Sequence, residues 1–242
     1  MKKLFSALLA FLLIASFPAL SQKGLYFGLA GTIQSTWITN QNNYGLSEMD
    51  YKSTFGGAGN LNIGYDFTNH LGLKLEIGYS KFGQKYTDSK TDSLQNKYDF
   101  AREIKMNYLT IPILFKYRTG GTIAKFFVAV GPQINMLLSA KQTYTVNGAP
   151  FVANIKTASG STFDVGKEDI KERYSSMDLV ARVDLGVEIT LVKFLMLDIG
   201  ATFNYGLMDL NATDYRLKDS TGNYHPSHAV YGGLNLGLNF RL

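Results

Sequence analysis

The sequence predicts an all-β fold: an eight-stranded antiparallel transmembrane β-barrel with short periplasmic turns and long extracellular loops. Three observations support this prediction. Apolar residues occupy every second position in eight separate stretches, which is the periodicity of a strand with one apolar face. The connections between these stretches alternate between very short and long, as in transmembrane barrels. The intervening positions are rich in Gly, Asn, Thr, Ala and Ser, which suit a narrow barrel interior.

The composition sets further limits. The 242 residues are enough for one domain, and no change in composition marks a second one. The absence of cysteine excludes a disulfide framework and a thiolate metal site or nucleophile. The formal charge of +5 falls to +3 without Lys2 and Lys3, which leaves 22 of the 24 basic residues against 19 acidic ones. Such a small and scattered charge predicts no nucleic-acid partner.

Residues 1–21 have the features of a secretory signal peptide that is cleaved from the mature chain. A basic start precedes a short apolar run at 4–20, and small residues near Ser21 resemble a cleavage site. We therefore expect export, with residues 22–242 forming the outer-membrane β-barrel domain. The mature chain has no apolar run of the roughly 18 residues that a membrane helix requires.

Four predicted strands lie in the first half of the chain, at 25–39, 55–67, 71–80 and 107–117. In the third of them, for example, Leu73, Leu75 and Ile77 form the apolar face. A tight turn is expected at 68–70, where Thr, Asn and His follow one another. Polar loops are expected at 40–53 and 87–102.

The other four predicted strands lie at 126–138, 179–189, 195–205 and 230–242. Short turns are expected at 119–122 and 192–193, and long polar loops at 140–176 and 208–227. Within the longest loop, the charged stretch 165–174 could form a short helix, although it has no wide apolar face. Pro112 and Pro132 fall inside predicted strands, and because proline cannot donate to a strand ladder, we expect a bulge at each.

Alternation alone does not say which face of the barrel points outward, because a soluble lipocalin-type barrel has its apolar face inside. The small, weakly charged polar faces and the uneven connections favour an apolar face toward lipid. Aromatic residues also lie toward the ends of the apolar faces, where the aromatic girdles of membrane barrels are found. These residues are Phe27, Trp37, Phe55, Tyr65, Phe67, Tyr79, Phe115, Tyr117, Phe203, Tyr205 and Phe240.

Charged residues on the polar faces then point into the barrel. Because an unpaired charge in so narrow a space is costly, residues of opposite sign are expected to pair there as a structural ion-pair network. A gated proton or ion path is the less favoured interpretation. The predicted members are Lys74, Glu76, Lys116, Arg182, Asp184, Glu188 and Asp198.

The last strand needs a neighbour, and the first strand supplies it by closing the barrel. The end of the chain also resembles the insertion signal that the barrel assembly machinery recognises in outer-membrane proteins. Asn235, Gly237, Phe240 and Leu242 match that signal by position, with Leu242 in place of the usual terminal aromatic residue. The resemblance implies that this machinery is a partner during biogenesis.

Three motifs resemble one family in particular. They are Y-L-T-I-P-I-L-F-K-Y at 108–117, F-V-A-V-G-P-Q at 127–133 and N-Y-G-L at 204–207. Together they resemble the PorT-type outer-membrane β-barrel family of Bacteroidota. The resemblance implies an eight-stranded barrel in the Gram-negative outer membrane. The namesake of the family is associated with type IX protein secretion, so a secretion accessory role is one expectation.

The residues indicate no catalytic site, no cofactor and no metal. His70 falls in a predicted turn, and His225 and His228 lie near Asp209 and other carboxylates of the last loop without an arrangement of base and nucleophile. The favoured function is therefore a non-enzymatic envelope scaffold that binds an envelope or secretion protein through loop 140–176. A small conducting pore is the alternative, and a rim-site hydrolase or acyltransferase is favoured less.

Overall fold

The computed structural model describes residues 24–40, 49–119, 121–156, 160, 162–218 and 222–242. The predicted signal peptide lies outside these residues. Within them, no helix has the length and the apolar character needed to span a bilayer. Twelve strands are present in the described part: β1 (Leu25–Ile38), β2 (Asp50–Lys52), β3 (Thr54–Asp66), β4 (Leu71–Thr91), β5 (Lys97–Arg118), β6 (Ala124–Val146), β7 (Ala149–Pro150), β8 (Asn154–Lys156), β9 (Thr162–Asp164), β10 (Met177–Val192), β11 (Leu195–Gly206) and β12 (Ala229–Arg241).

The eight long strands close into an antiparallel barrel, which confirms the predicted fold class. Their order around the wall is β1, β3, β4, β5, β6, β10, β11 and β12, and every neighbouring pair is antiparallel. The seam lies between the first and last strands, where Phe27 faces Phe240 and Ile38 faces Ala229. No strand of the wall is left at an edge, so the backbone groups of the spanning part are paired within the barrel.

The apolar face points outward. On β1 the outward-facing side chains include Phe27, Leu29 and Ile33, which are exposed, whereas the inward-facing Gln34 and Thr36 are buried. The same alternation is present on the other barrel strands. A continuous exposed apolar band is expected where the solvent is lipid, and its outward position excludes the lipocalin-type alternative.

Three neighbouring strands are much longer than the rest. Strands β4, β5 and β6 have 21, 22 and 23 residues, whereas the other barrel strands have between 12 and 16. A transmembrane strand needs about 9–11 residues, so these three continue beyond the membrane. The expected loop at 87–102 is therefore wrong for most of its length. Only the turn between Thr91 and Lys97 remains, where Asp92 Oδ1 accepts the backbone N–H groups of Leu94 and Asn96 at 2.8 and 2.9 Å.

The expected loop at 140–176 is wrong in part as well. Its first residues continue β6 to Val146, and the next described residues form β7, β8 and β9. The expected helix at 165–174 is reduced to one turn of 3₁₀-helix, Lys171–Arg173. Without a wide apolar face this stretch has no helical packing surface, and Val165, Ile170 and Tyr174 are buried individually instead.

The expected bulges at the two prolines are absent. Pro112 faces Gln133 and Pro132 faces Ala181, and the register is the same before and after each of them. A proline removes one donor from the ladder but does not by itself add a residue, so the strand spacing is kept. The register shift between β5 and β6 lies instead between Asn107 and Tyr108.

Candidate functional site

The interior of the barrel is the first candidate site, and its centre contains four charged side chains, here called the central cluster. Lys74 and Glu76 come from β4, and Arg182 and Asp184 from β10. Glu76 joins both cations, with its Oε1 atom 2.7 Å from Lys74 Nζ and its Oε2 atom 3.0 Å from Arg182 Nη1. Arg182 Nε also lies 2.8 Å from Asp184 Oδ1. Two cations face two anions, so the cluster is neutral although all four side chains are buried.

A second neutral group, the turn-end cluster, lies toward the short connections. Lys116 Nζ lies 2.8 Å from Glu188 and 3.2 Å from Asp198. Arg118 joins Glu188 at 3.0 Å and Asp66 at 2.5 Å. Arg241 closes the group from the last strand, 2.9 Å from Asp66. Three cations again face three anions, so the burial of these charges is compensated.

The two clusters contain all seven interior charges that the sequence predicts, together with three that it did not. Asp66, Arg118 and Arg241 were missed because they lie at or beyond the ends of the predicted apolar alternations. The alternation itself contained the signal: Arg118 is two residues after Lys116, so both side chains point to the same face of β5.

A polar layer lies above the central cluster, toward the long connections. The Tyr231 hydroxyl accepts hydrogen bonds from the side-chain amides of Gln133 and Asn135, at 2.7 and 3.2 Å. Arg182 donates to Gln133 Oε1 at 3.3 Å, which connects this layer to the charges below. The Tyr231 ring packs edge-on against the Phe82 ring, with ring centroids 5.7 Å apart. The layer thus joins the charged part of the interior to an apolar part.

The apolar part fills the loop end of the barrel and is here called the plug. The strands contribute side chains such as Phe82, Met106 and Tyr108, and the segment between β6 and β10 adds others from above. The buried Arg173 joins two parts of that segment, because its guanidinium donates to the backbone carbonyls of Asp164 and Val165 at 2.5 and 3.2 Å. Gln142 of β6 attaches the segment to the barrel by donating to the backbone carbonyl of Lys167 at 3.0 Å. The plug consists of Ile38, Met49, Phe82, Tyr86, Ile104, Met106, Tyr108, Leu137, Ala140, Tyr144, Val165, Ile170, Tyr174, Val180, Leu210, Ala229 and Tyr231.

The plug was not predicted, although the sequence carries a signal for it. On β4 the apolar residues up to Tyr79 face outward, but the next ones, Phe82 and Tyr86, face inward. On β5 the same change of phase separates the inward-facing Met106 from the outward-facing Leu109. An alternation that changes phase marks the level at which the outer face passes from lipid into water.

Little free space remains between the two clusters, whereas an opening of about 590 Å³ at the end with the short connections is lined in part by Asp66, Arg118 and Arg241. The small cavity between the two clusters, lined in part by Asn62, Asp184 and Asp198, measures about 10 Å³. That volume is close to the minimum that holds one water molecule. An eight-stranded barrel is just wide enough to be filled by its own side chains, and the charged clusters and the plug do so here.

The residues around the last long connection are engaged in structural contacts. His228 Nδ1 lies 3.1 Å from the carbonyl oxygen of Met208, and its ring stacks on Tyr205. The Asp209 carboxylate lies 2.8 Å from Arg216 and accepts the Tyr224 hydroxyl at 2.7 Å. Burial and this hydrogen bond raise the pKa of Tyr224 above its ordinary value. In the described part of the chain, no three His, Asp or Glu side chains lie close enough together to hold a metal ion.

The four residues of the expected assembly signal lie along the seam. The Asn235 side chain donates to Thr32 Oγ1 at 3.2 Å. Phe240 stacks on Phe27 with ring centroids 5.7 Å apart. Gly237 faces Ala30, and the backbone N–H of Leu242 donates to the carbonyl of Leu25 at 3.0 Å. Their role in assembly remains a prediction.

With the barrel, its outward apolar face and its filled interior described, comparisons with known proteins identify the family. The family model described as outer membrane protein beta-barrel domain matches residues 17–212. The chain belongs to this family. It is therefore an integral protein of the outer membrane, and the short connections face the periplasm while the long ones face the cell exterior. The match ends before β12, the strand that completes the wall.

Solved structures with a similar fold are distant in sequence. Neisserial surface protein A is 14% identical, with 90% of this chain and 97% of that chain covered and a TM-score of 0.44. OprG from Pseudomonas aeruginosa is 11% identical, with 90% and 95% covered and a TM-score of 0.40. Ail, the attachment invasion locus protein of Yersinia pestis, is 12% identical, with 90% and 99% covered and a TM-score of 0.35. The curated proteins contain no match to this chain.

Proposed function

We propose that this protein is a non-enzymatic, non-conducting outer-membrane scaffold that binds another envelope protein at its extracellular end. The observation that carries the proposal is the filled interior. Two neutral ion-pair clusters and an apolar plug occupy the space that a pore or a substrate would need. Because the interior is filled, the surface available to a partner is the extracellular end of the barrel.

The extracellular end forms a platform, defined here as residues 85–103 of β4, β5 and their turn, residues 140–146 of β6, and the described residues of 147–174. Exposed apolar side chains on it, such as Leu94 and Val152, lie among exposed ion pairs including Lys97 with Asp99 at 3.1 Å. The exposed Tyr51 of the adjoining β2 lies beside it. Apolar and aromatic anchors inside a polar rim are the usual composition of a protein-binding surface.

The expected partner segment, 140–176, needs a narrower definition. Ala140, Val165 and Ile170 are buried in the plug, so they support the barrel and are not accessible to a partner. The part that a partner would contact is the exposed one, which includes Val152 and the ion pair between Lys167 and Glu172.

A role as a type IX secretion accessory component is the narrower form of the proposal. It is supported by the resemblance of the motifs at 108–117 and 127–133 to the PorT-type family. Both motifs lie in the wall, on β5 and β6, and hence describe the type of barrel. The motifs therefore do not identify the partner, which would bind the platform instead.

Site-specific photo-crosslinking in intact cells tests the proposal. A photoreactive amino acid at Leu94 or Val152 is expected to give a discrete protein adduct, because both positions are on the platform. Leu234 is the matched control, since it is 74% exposed, as is Val152, but faces lipid on β12. The same adducts at all three positions, or none at Leu94 and Val152 in correctly inserted protein, would contradict the scaffold proposal.

A further inference from the structure

The outer wall of β4, β5 and β6 changes from apolar to cationic within a few residues. Tyr79 faces Leu109, and this pair ends the apolar band on these strands. One outward-facing position higher, Lys81 faces Asn107. The next position pairs Lys105 with Lys141, and Lys85 follows above. Since outward-facing positions are about 7 Å apart along a strand, Lys81 lies about 7 Å beyond the end of the apolar band, and Lys105 and Lys141 lie about 14 Å beyond it.

A groove opens in the wall at the same level. It encloses about 620 Å³, and its lining includes Gly56, Gly57 and Gly83 as a floor without side chains. Gly83 has no room for a side chain, because a Cβ atom there would lie 2.2 Å from the backbone carbonyl oxygen of Ile104. Tyr79 forms the side toward the bilayer, and the lysines lie toward the cell exterior. Phe55 is two residues beyond Gly57, which faces Lys81, so this exposed ring lies at the level of the lysines.

The charges of the groove are not balanced. Lys81, Lys85, Lys105 and Lys141 line it together with a single carboxylate, Glu103. Glu103 is shared, at 3.4 Å from Lys85 and 3.1 Å from Lys105. Lys141 pairs with Glu168 outside the groove at 3.0 Å. Lys105 and Lys141 lie directly opposite each other, an arrangement of like charges that destabilises a strand pair.

We propose that this groove binds a phosphate-bearing lipid of the outer leaflet. Lys81, Lys105 and Lys141 bind the phosphate group, and an acyl chain lies against Tyr79 and the apolar band below it. The occupant is a lipid because the groove continues directly into the lipid-facing band. A soluble anion would contact only the lysines, whereas a lipid would contact both the lysines and the apolar surface. Lysine stems cover apolar surface while their ammonium groups reach polar headgroups, so the residue type fits the position.

Fluorescence anisotropy with labelled diphosphoryl lipid A, added to the folded full-length protein in non-ionic detergent at low salt, tests the proposal. The variant K81Q/K105Q/K141Q is expected to bind about a hundredfold more weakly, from the attraction of three lysines to an anionic lipid surface. The matched control K90Q/K97Q/K125Q removes the same charge outside the groove and is expected to bind as the unmodified chain does. Folding of each variant is checked by the retarded mobility of the boiled sample relative to the unboiled one.

Three outcomes would overturn the proposal. The first is that the groove variant and the control variant bind the lipid equally. The second is that labelled phosphatidylcholine binds as tightly as the phosphate-bearing lipid. The third is that inorganic pyrophosphate displaces the lipid at equal molar concentration, which would indicate a site for free anions. Selective loss in the groove variant, with pyrophosphate a weak competitor, supports a lipid site.

Discussion

Replacing Glu76 with glutamine is expected to lower the free energy of unfolding by about 3 kcal/mol, because it leaves buried cations without compensation. The Glu76 carboxylate contacts Lys74 at 2.7 Å and Arg182 at 3.0 Å, and Asn60 donates to it at 3.1 Å. In the variant Asp184 is the one anion left against two cations in the central cluster. The neutral amide also presents N–H donors to groups that already donate.

Urea unfolding in detergent, followed by the fluorescence of the single tryptophan, Trp37, measures this effect. The matched control is Glu172→Gln, which removes the same charge from an exposed pair with Lys167 and is expected to change stability by less than about 1 kcal/mol. The neutral double variant Lys74→Met/Glu76→Gln is expected to recover part of the loss. Equal midpoints for Glu76→Gln and Glu172→Gln would show that the interior charges contribute no more than surface pairs.

Deleting residues 240–242 is expected to reduce the amount of protein in the outer membrane to a small fraction of the normal level. Phe240 stacks on Phe27 at the seam, and Arg241 compensates Asp66 at 2.9 Å in the turn-end cluster. The deletion therefore shortens the closing strand and removes a cation from a neutral buried group. It also removes two of the four residues that match the insertion signal.

Quantification of the chain in isolated outer membranes measures the effect, and full-length substitutions separate its causes. Phe240→Ala/Leu242→Ala removes the signal side chains and keeps Arg241, whereas Leu234→Ala removes an apolar side chain of the same strand outside the signal. We expect a large loss for the first and a small one for the second. Normal membrane levels of the truncated chain would refute the assembly role of this segment.

The membrane-spanning half of the fold could be predicted from sequence because each strand there separates lipid from a packed interior. On β1 the outward-facing Phe27, Leu29 and Ile33 are apolar, whereas the inward-facing Thr32, Gln34 and Thr36 are polar. The same rule assigned Lys74 and Glu76 to the interior. The seam followed from the apolar alternation of the last stretch. Pairing of the interior charges followed from the cost of burying them alone.

The extracellular half could not be predicted in the same way. Beyond the hydrocarbon core of the membrane the outer face is polar, so Lys81 and Lys85 face outward while Phe82 faces inward, and the alternation changes phase. The outward-facing apolar residues of β4 end at Tyr79, so the sequence predicts too early an end for the strand and a loop in place of its extension. The inward packing of Ile170 depends on tertiary contacts with the barrel mouth, for which a short polar segment has no local pattern.

Single-channel recording in a planar bilayer tests the central claim, that the interior is closed, most directly. The sample is the full chain, with folding verified by its mobility shift on a denaturing gel before and after boiling. We predict a silent membrane at all applied voltages, because the charged clusters and the plug fill the barrel. Stable open steps from correctly folded protein would contradict this account and favour the small conducting pore.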